Sequence, residues 1–159
     1  MSPIFRNITM AYLIFLSAVL GASLYAGAVV APVTFNTEDI FGSSILSQFQ
    51  EGMIMTENFV RLSYLVTISV IAAVIYEGYK YKKGERDMLT FVALFLVLAT
   101  GLMFSYYYLP DIIMMQQAGE EMTKTQLFID THNGSEINFK IYTFALLLLL
   151  VRNFKKALR

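Results

Sequence analysis

Two sets of charged side chains stand out because their members are spaced four residues apart. His132, Glu136 and Lys140 form one set, and Glu57 and Arg61 form the other. In an α-helix, residues four apart lie on one face, where their side chains can meet. A carboxylate beside an ammonium or imidazole group can carry a proton, bind an ion or hold a polar substrate. The same pairs can instead form a structural ion-pair network that fixes helix register, and the sequence leaves both interpretations open.

The segments that carry these charges are largely apolar, which predicts that the charges lie within or at the edge of a membrane. Counting from Arg152 at about 1.5 Å per residue, Lys140 lies roughly 18 Å into an apolar layer of about 30 Å. An ionised group there costs at least ~2.5 kcal/mol unless it is paired or reaches water. We therefore predict a polar cluster in the outer half of a helical bundle, made of Glu57, Asn58, Arg61, His132, Ser135, Glu136, Asn138 and Lys140.

Composition excludes several other kinds of site. The chain has no cysteine and one histidine, which excludes thiolate catalysis, disulfides and multi-histidine metal sites within one chain. No phosphate-binding loop, nucleophile elbow or His-Glu-x-x-His motif is present. The formal net charge is zero, which argues against nucleic acid as a partner. We therefore predict no catalytic residue, no metal site and no cofactor.

Four apolar stretches must position the polar cluster. The chain is 57% hydrophobic and 15% charged, whereas soluble domains average about 25% charged residues. A membrane-crossing helix needs about 20 mostly apolar residues. We predict an all-α polytopic membrane protein with a single transmembrane domain over residues 1–159. Its four-helix bundle has spans at about 9–34, 58–80, 88–109 and 133–152 and outer segments at 35–57 and 110–132. The first stretch loosely resembles a signal peptide, but its apolar run is too long, so we interpret it as a retained helix.

The distribution of basic residues predicts the orientation of the bundle. Nine of the twelve basic residues fall on faces that four spans place together: Arg6, Lys80, Lys82, Lys83, Arg86, Arg152, Lys155, Lys156 and Arg159. Cytoplasmic segments of membrane proteins carry the excess of lysine and arginine. The sequence therefore predicts a multi-pass protein of the bacterial inner membrane with both termini in the cytoplasm.

Small residues recur along the first span. Ser17, Gly21, Ala22, Ala26 and Gly27 include pairs that stand four residues apart. Small residues at this spacing let helix backbones approach closely, which drives helix association in lipid. The pattern predicts either packing within the bundle or a face kept for a partner protein.

The two halves of the chain resemble each other weakly. The first and third spans both end near a proline, at Pro32 and Pro110. The second and fourth spans both open with an acidic, asparagine-containing segment, at residues 57–61 and 136–140. Both halves have the same predicted direction through the membrane, so the pattern predicts a parallel repeat.

Two short motifs resemble a known family. Residues 31–35 read Ala-Pro-Val-Thr-Phe after the small-residue first helix, and residues 128–135 read Phe-Ile-Asp-Thr-His-Asn-Gly-Ser before the last one. Both resemble the DUF4149/TMEM205-like membrane proteins, and the resemblance singles out Pro32, Phe35, His132 and Ser135. It implies four spans and a loose link to copper-resistance and haem-biosynthesis membrane proteins. Those relatives use additional histidines in the membrane, whereas this chain has only His132.

Three functions compete on this basis. The favoured hypothesis is a non-enzymatic, chaperone-like accessory protein that assembles or stabilises a larger complex in the lipid bilayer, beside other membrane subunits or by self-association. The alternative is a small transporter or ion-handling protein that uses the outer polar cluster. A haem- or copper-related membrane protein is the third.

Overall fold

Helix accounts for nearly all of the backbone. The computed structural model describes residues 3–158, in which no strand occurs. Four helical stretches are long and apolar enough to cross a membrane: Pro3–Phe35, Gln48–Lys82, Met88–Gln117 and Gln126–Ala157. The predicted all-α class and the four spans are therefore confirmed.

The first and third stretches each consist of several helical elements. In chain order the elements are α1 (Pro3–Tyr25), a π-helical turn (Ala26–Val30), α2 (Ala31–Phe35), α3 (Thr37–Phe41), α4 (Gln48–Lys82), α5 (Met88–Met103), a second π-helical turn (Phe104–Tyr108), α6 (Leu109–Gln117), α7 (Glu120–Thr123) and α8 (Gln126–Ala157).

The long helices form a four-membered ring. α4 and α8 each pack on both α1 and α5. The Tyr76 hydroxyl donates to Thr9 Oγ1 at 2.8 Å, and Lys80 Nζ donates to Asn153 Oδ1 at 2.8 Å. These bonds place the start of α1, the end of α4 and the end of α8 together at what we call the termini end of the bundle. The opposite end, with α2, α3, α6 and α7, is the loop end.

Side-chain caps fix where three of the long helices begin. Ser47 accepts a bond from the backbone N–H of Gln50, and the Gln50 side chain accepts one from Ser47, which makes a capping box for α4. Asp87 caps α5, and Thr125 caps α8. The turn between α4 and α5 contains Gly84 at φ +91°, a conformation that suits glycine.

The helices are longer than the predicted spans. α4 begins at Gln48 rather than near residue 58, and α8 begins at Gln126 rather than near residue 133. With 35 residues, α4 is about 52 Å long, against an apolar layer of about 30 Å. Polar residues in the first turns of both helices hide these starts from a hydropathy reading. The loop end therefore extends beyond the thickness of an apolar layer.

Apolar side chains fill the middle of the bundle. All four long helices contribute side chains with 0% relative exposure: Leu16, Val66, Val97, Leu146 and Leu149. Close packing of this kind leaves little space between helices.

A glycine lies at a close crossing of helices in the bundle. A Cβ added to Gly101 of α5 would lie 2.7 Å from Cγ2 of Val70 and 3.3 Å from the Tyr142 ring. The Tyr142 hydroxyl itself lies 2.7 Å from Ser69 Oγ, so this buried polar group is satisfied. Glycine at this position is required by the close approach of α4 and α8.

The two π-helical turns give the predicted repeat a counterpart in the backbone. Each turn spans five residues and is followed directly by an α-helical turn whose second residue is proline, Pro32 in one half and Pro110 in the other. Proline has no N–H to donate and clashes with the carbonyl four residues before it, so a wider turn next to it relieves the helix. Phe59, from residues 57–61, and Phe139, from residues 136–140, meet with ring centroids 5.2 Å apart.

Candidate functional site

The four charged residues of the predicted cluster form two separate ion pairs. Arg61 donates to Glu57 at 2.9 Å on α4, and Lys140 donates to Glu136 at 2.6 Å on α8. All four side chains are more than half exposed. Within residues 3–158, no ion pair or hydrogen bond joins one pair to the other. Spacing by four placed each pair on one helix face, but that face points away from the bundle.

The uncharged members of the predicted cluster point inward. Asn138 is buried and donates to the carbonyl of Thr100 at 2.8 Å, which ties α8 to α5. Ser135 is buried and donates to the carbonyl of His132 at 2.7 Å. Asn58 is half-buried, and its amide nitrogen has no hydrogen-bond partner in the described part of the chain.

His132 lies at a polar cleft in the loop end. The cleft has a volume of about 540 Å³. Its lining is mostly polar and consists of Phe35, Asn36, Thr37, Glu38, Asp39, Ser44, Leu46, Gln48, Glu51 and His132. Glu51 is buried there and accepts a hydrogen bond from Thr37. The exposed ring of His132 stacks on Phe128 at 5.9 Å. The two family-like motifs, far apart in sequence, thus contribute Phe35 and His132 to one cleft.

Acidic residues at this cleft do not form a metal site by geometry. Among the described residues, no group of three or more histidine, cysteine, aspartate or glutamate side chains is placed to hold a metal ion. His132 is the only imidazole in the chain. The donor set therefore does not match the multiple membrane histidines that the haem- and copper-related interpretation requires.

The small residues of the first span divide between two environments. Ser17, Gly21 and Gly27 are exposed, Ala22 is half-buried, and Ala26 is buried. A Cβ added at Gly21 would meet nothing within 4 Å. Packing inside the bundle therefore explains Ala26 but not Gly21, and the exposed members remain available to a second helix.

A buried charged group at the termini end was absent from the prediction. Glu77 and Lys80 lie 3.5 Å apart on α4, and each side chain is only 5% exposed. Asn153 of α8 bridges them: its Nδ2 donates to Glu77 at 2.6 Å, and its Oδ1 accepts from Lys80 at 2.8 Å. The Tyr12 hydroxyl of α1 donates to the same Glu77 oxygen at 3.4 Å. Three helices therefore contribute to one satisfied polar group.

The turn before α5 extends this group to the fourth long helix. Glu85 lies 3.1 Å from Lys80 and 3.8 Å from Lys156. Asp87 Oδ2 accepts a hydrogen bond from Arg152 Nη2 at 2.6 Å, and Lys156 Nζ lies 3.2 Å from the same oxygen. We call Glu77, Lys80, Glu85, Asp87, Arg152, Asn153 and Lys156 the termini-end network.

Asp87 has the clearest electrostatic signature in this network. Hydrogen bonds from Arg152, with smaller contributions from Thr90 and Lys156, hold the pKa of its carboxyl well below the ordinary value of 3.8. Asp87 also caps α5 by accepting from the backbone N–H of Leu89. One carboxylate thus fixes both the start of α5 and the position of the α8 end.

Aromatic rings close the network from the α1 side. Tyr12 and Tyr76 stack with ring centroids 4.0 Å apart, and Phe5 stacks on Tyr76 at 5.9 Å. The Lys80 ammonium lies 5.3 Å from the centre of the Tyr76 ring. The network contains three acidic and three basic residues, so its charges balance, and its contacts hold the helix ends together.

In the sequence, the features that point to this network are Glu77 and Asn153, two polar residues near the ends of apolar stretches.

Comparison with known proteins assigns the family. A family model described as "Domain of unknown function (DUF4149)" matches residues 14–121. The chain belongs to the DUF4149 family. The match covers α1 from Ile14 through α4, α5 and α6, and it ends before α8. The predicted membership is therefore confirmed, while residues 128–135, which carried part of the resemblance, lie outside the matched segment of this DUF4149 chain. No curated protein and no solved structure matches the chain significantly.

Proposed function

We propose that this DUF4149 protein is a non-enzymatic accessory protein of the bacterial inner membrane that assembles or stabilises a larger membrane complex. The observation that carries the proposal is the outward-facing part of the small-residue stretch on α1. Ser17 and Gly21 are exposed, and Gly21 has open space around its Cα. Glycine inside a helix costs about 1 kcal/mol relative to alanine, and contacts within this chain do not offset that cost. A partner helix that packs closely against this glycine would offset the cost.

The packed middle of the bundle supports a scaffold rather than a conduit. Side chains without exposed surface, such as Leu16, Val66 and Leu146, fill the space between the helices. The termini-end network and Gly101 fix the helices against each other at two further levels. A body of this kind presents faces to other proteins with little internal rearrangement.

Both termini are assigned to the cytoplasm in this proposal. Lys80, Lys82, Lys83 and Arg86 lie at the termini end, as do the basic residues that close α8. The loop end carries acidic residues such as Glu38, Asp39 and Asp111. This asymmetry follows the positive-inside rule. Fusions of alkaline phosphatase and of green fluorescent protein to the C-terminus test it: fluorescence without phosphatase activity supports the orientation, and the reverse contradicts it.

Two matched substitutions test the accessory role. Gly21→Leu adds a large side chain to the exposed face of α1, and Gly78→Leu does the same on α4, where the added Cβ also meets nothing within 4 Å. Tagged variants are extracted in mild detergent, and the recovered membrane proteins are quantified by mass spectrometry. We expect a near-stoichiometric partner with the wild type and Gly78→Leu and its loss with Gly21→Leu. Equal recovery with both variants, or recovery of this chain alone, contradicts the proposal.

An ion-handling role is the second candidate. The cleft of about 540 Å³ at the loop end, with buried Glu51 and exposed His132, is the observation that favours it. Glu51→Gln and His132→Ala, at two residues that line this cleft, test the role through ion and proton flux in purified protein reconstituted into vesicles. Loss of flux without loss of folding supports this role, and unchanged flux contradicts it.

A further inference from the structure

The ion pair of Glu136 and Lys140 lies within the thickness of the membrane. Arg152 pairs with Asp87 at the first turn of α5, so these two residues mark one edge of the apolar layer. From that level, Lys140 is about 18 Å and Glu136 about 24 Å along α8, inside a layer of about 30 Å. On the neighbouring stretch, Tyr106 and its aromatic neighbours fall about 30 Å from the same edge, at the depth where such rings collect.

No other placement of the bilayer frees the pair from the apolar layer. Moving the layer toward the termini end far enough to release Lys140 would bring Asp87, Arg152 and the lysines at the end of α4 into it. Moving it toward the loop end brings Lys140 to the middle of the layer and also takes the Glu57–Arg61 pair into it. Both alternatives place more charge in lipid than the level set by Arg152 and Asp87 does.

The pair faces outward at this depth. The Lys140 and Glu136 side chains are 62% and 56% exposed, and within residues 3–158 their polar groups bond only to each other. Ile137, Ile141 and Phe144 flank them and are exposed as well. An ammonium has three donors, and a carboxylate accepts several bonds. Lipid tails can supply no partner for the groups that remain.

We propose that a second copy of this chain covers the pair, with α8 packed against α8 around a two-fold axis along the membrane normal. Copies inserted in the same direction place equivalent residues at equal depth. The α8 face carries one positive and one negative charge one turn apart, so it has no net charge, and an isologous contact can place Lys140 of each copy against Glu136 of the other. In the paired arrangement each Lys140 lies below two carboxylates and can donate to Glu136 of its own chain and of the second copy. The flanking Ile137, Ile141 and Phe144 supply the apolar contact around these charges.

Single cysteines test this arrangement directly because the chain contains none. Phe144 of α8 and Phe95 of α5 are both eight residues from the Asp87–Arg152 level, and they are 71% and 59% exposed. Phe144→Cys and Phe95→Cys therefore place a thiol at the same depth on two different faces. Disulfide formation requires Cβ atoms about 4 Å apart. Mild oxidation in native membranes should give a dimer with Phe144→Cys and not with Phe95→Cys.

Charge variants identify the interaction that holds the copies together. In the Phe144→Cys background, Lys140→Gln or Glu136→Gln should lower the crosslinked fraction about tenfold, the effect of losing one close charge pair. Exchange of the two charges by Glu136→Lys with Lys140→Glu should restore it, since the face again complements itself. Far-UV circular dichroism of each purified variant shows that it is folded.

Three outcomes overturn the inference. They are the absence of a Phe144→Cys dimer in folded protein, equal crosslinking from Phe95→Cys, and crosslinking of Phe144→Cys to a different protein instead of to itself. Gly21→Leu should leave the dimer unchanged because Gly21 lies on α1. Self-association through α8 and the accessory role through α1 can therefore fail independently.

Discussion

The two ends of the bundle place a glutamate and a lysine in opposite surroundings. At the termini end, Glu77 and Lys80 are three residues apart, buried, and bridged by Asn153 of another helix. On the outer face of α8, on the loop-end side of the Asp87–Arg152 level, Glu136 and Lys140 are four residues apart and exposed, and within residues 3–158 they bond only to each other. The exposed pair is the shorter of the two, at 2.6 Å against 3.5 Å. Distance alone therefore says little about what a pair contributes; burial and additional partners decide it.

This contrast assigns different roles to the two ends. The buried group joins residues from three helices, so removing any member disturbs the body of the protein. The outward pairs are local to one helix each, so removing a member leaves the fold in place and changes only what the surface can bind. Substitutions at the buried group should therefore destabilise the fold far more than substitutions at the outward pairs.

Lys80→Met should destabilise the protein strongly. Glu77 would keep its buried carboxylate but lose its counter-ion, and breaking a buried ion pair in this way costs about 3–5 kcal/mol. Lys140→Met, at the outward pair, should change the free energy of unfolding by less than about 1 kcal/mol, because Glu136 faces detergent on the surface of α8 in both the folded and the unfolded state. Unfolding by sodium dodecyl sulfate in micelles of monomeric protein, followed by circular dichroism, measures both. Similar losses for the two variants would remove the distinction between the ends.

Gly101→Ala should have the next largest effect, in the packed region between the ends. The added Cβ would lie 2.7 Å from Val70, and overpacking of this kind costs about 1–3 kcal/mol. Gly21→Ala is the matched control: it has open space and should gain up to about 1 kcal/mol from helix propensity. The same unfolding assay compares them. If Gly101→Ala leaves the free energy of unfolding unchanged, then α4 and α8 can move away from α5 at this level. The packing between the termini end and the loop end would then be looser than the structure indicates.

Hydropathy predicted the four helices, but it did not predict which face of each helix points into the bundle. Lys140 and Glu136 share a helix face by spacing alone, and the prediction pointed that face inward because charges avoid lipid. In a membrane protein the lipid-facing side is also apolar, so amphipathicity does not tell inside from outside. Asn138, which the prediction grouped with those charges, is instead buried and donates to the carbonyl of Thr100.

The termini-end network was missed for a different reason. Tyr12, Glu77 and Asn153 are far apart in the chain, and each lies near the end of an apolar stretch, where polar residues are ordinary. Lys80 was interpreted only as a basic residue that sets orientation. Their meeting depends on how α1, α4 and α8 are placed around the ring, which no local pattern contains. The same holds for Phe35 and His132 in the cleft.

Acidification should test the network through Asp87, with a smaller effect than the core substitution. The folded-state pKa of Asp87 lies below its ordinary value of 3.8, so the unfolded chain takes up the proton first. The stabilisation is therefore complete above that ordinary value and is lost as the pH falls through and below it. Asp87→Asn keeps a residue that caps helices well and should flatten this part of the stability–pH curve. A curve identical to that of the wild type would show that Arg152 contributes nothing through this carboxylate.

Arg61→Gln should have the smallest effect. Its pair with Glu57 is exposed and lies within one helix turn, so its loss should change the free energy of unfolding by less than about 0.5 kcal/mol. Arg152→Gln is the counterpart at the termini end, where the guanidinium donates twice to Asp87, and it should cost clearly more. Both are measured in the same micelles at neutral pH. If Arg61→Gln costs as much as Arg152→Gln, the loop-end pair also holds the bundle together, and the assignment of loop-end charges to surface binding would be wrong for α4.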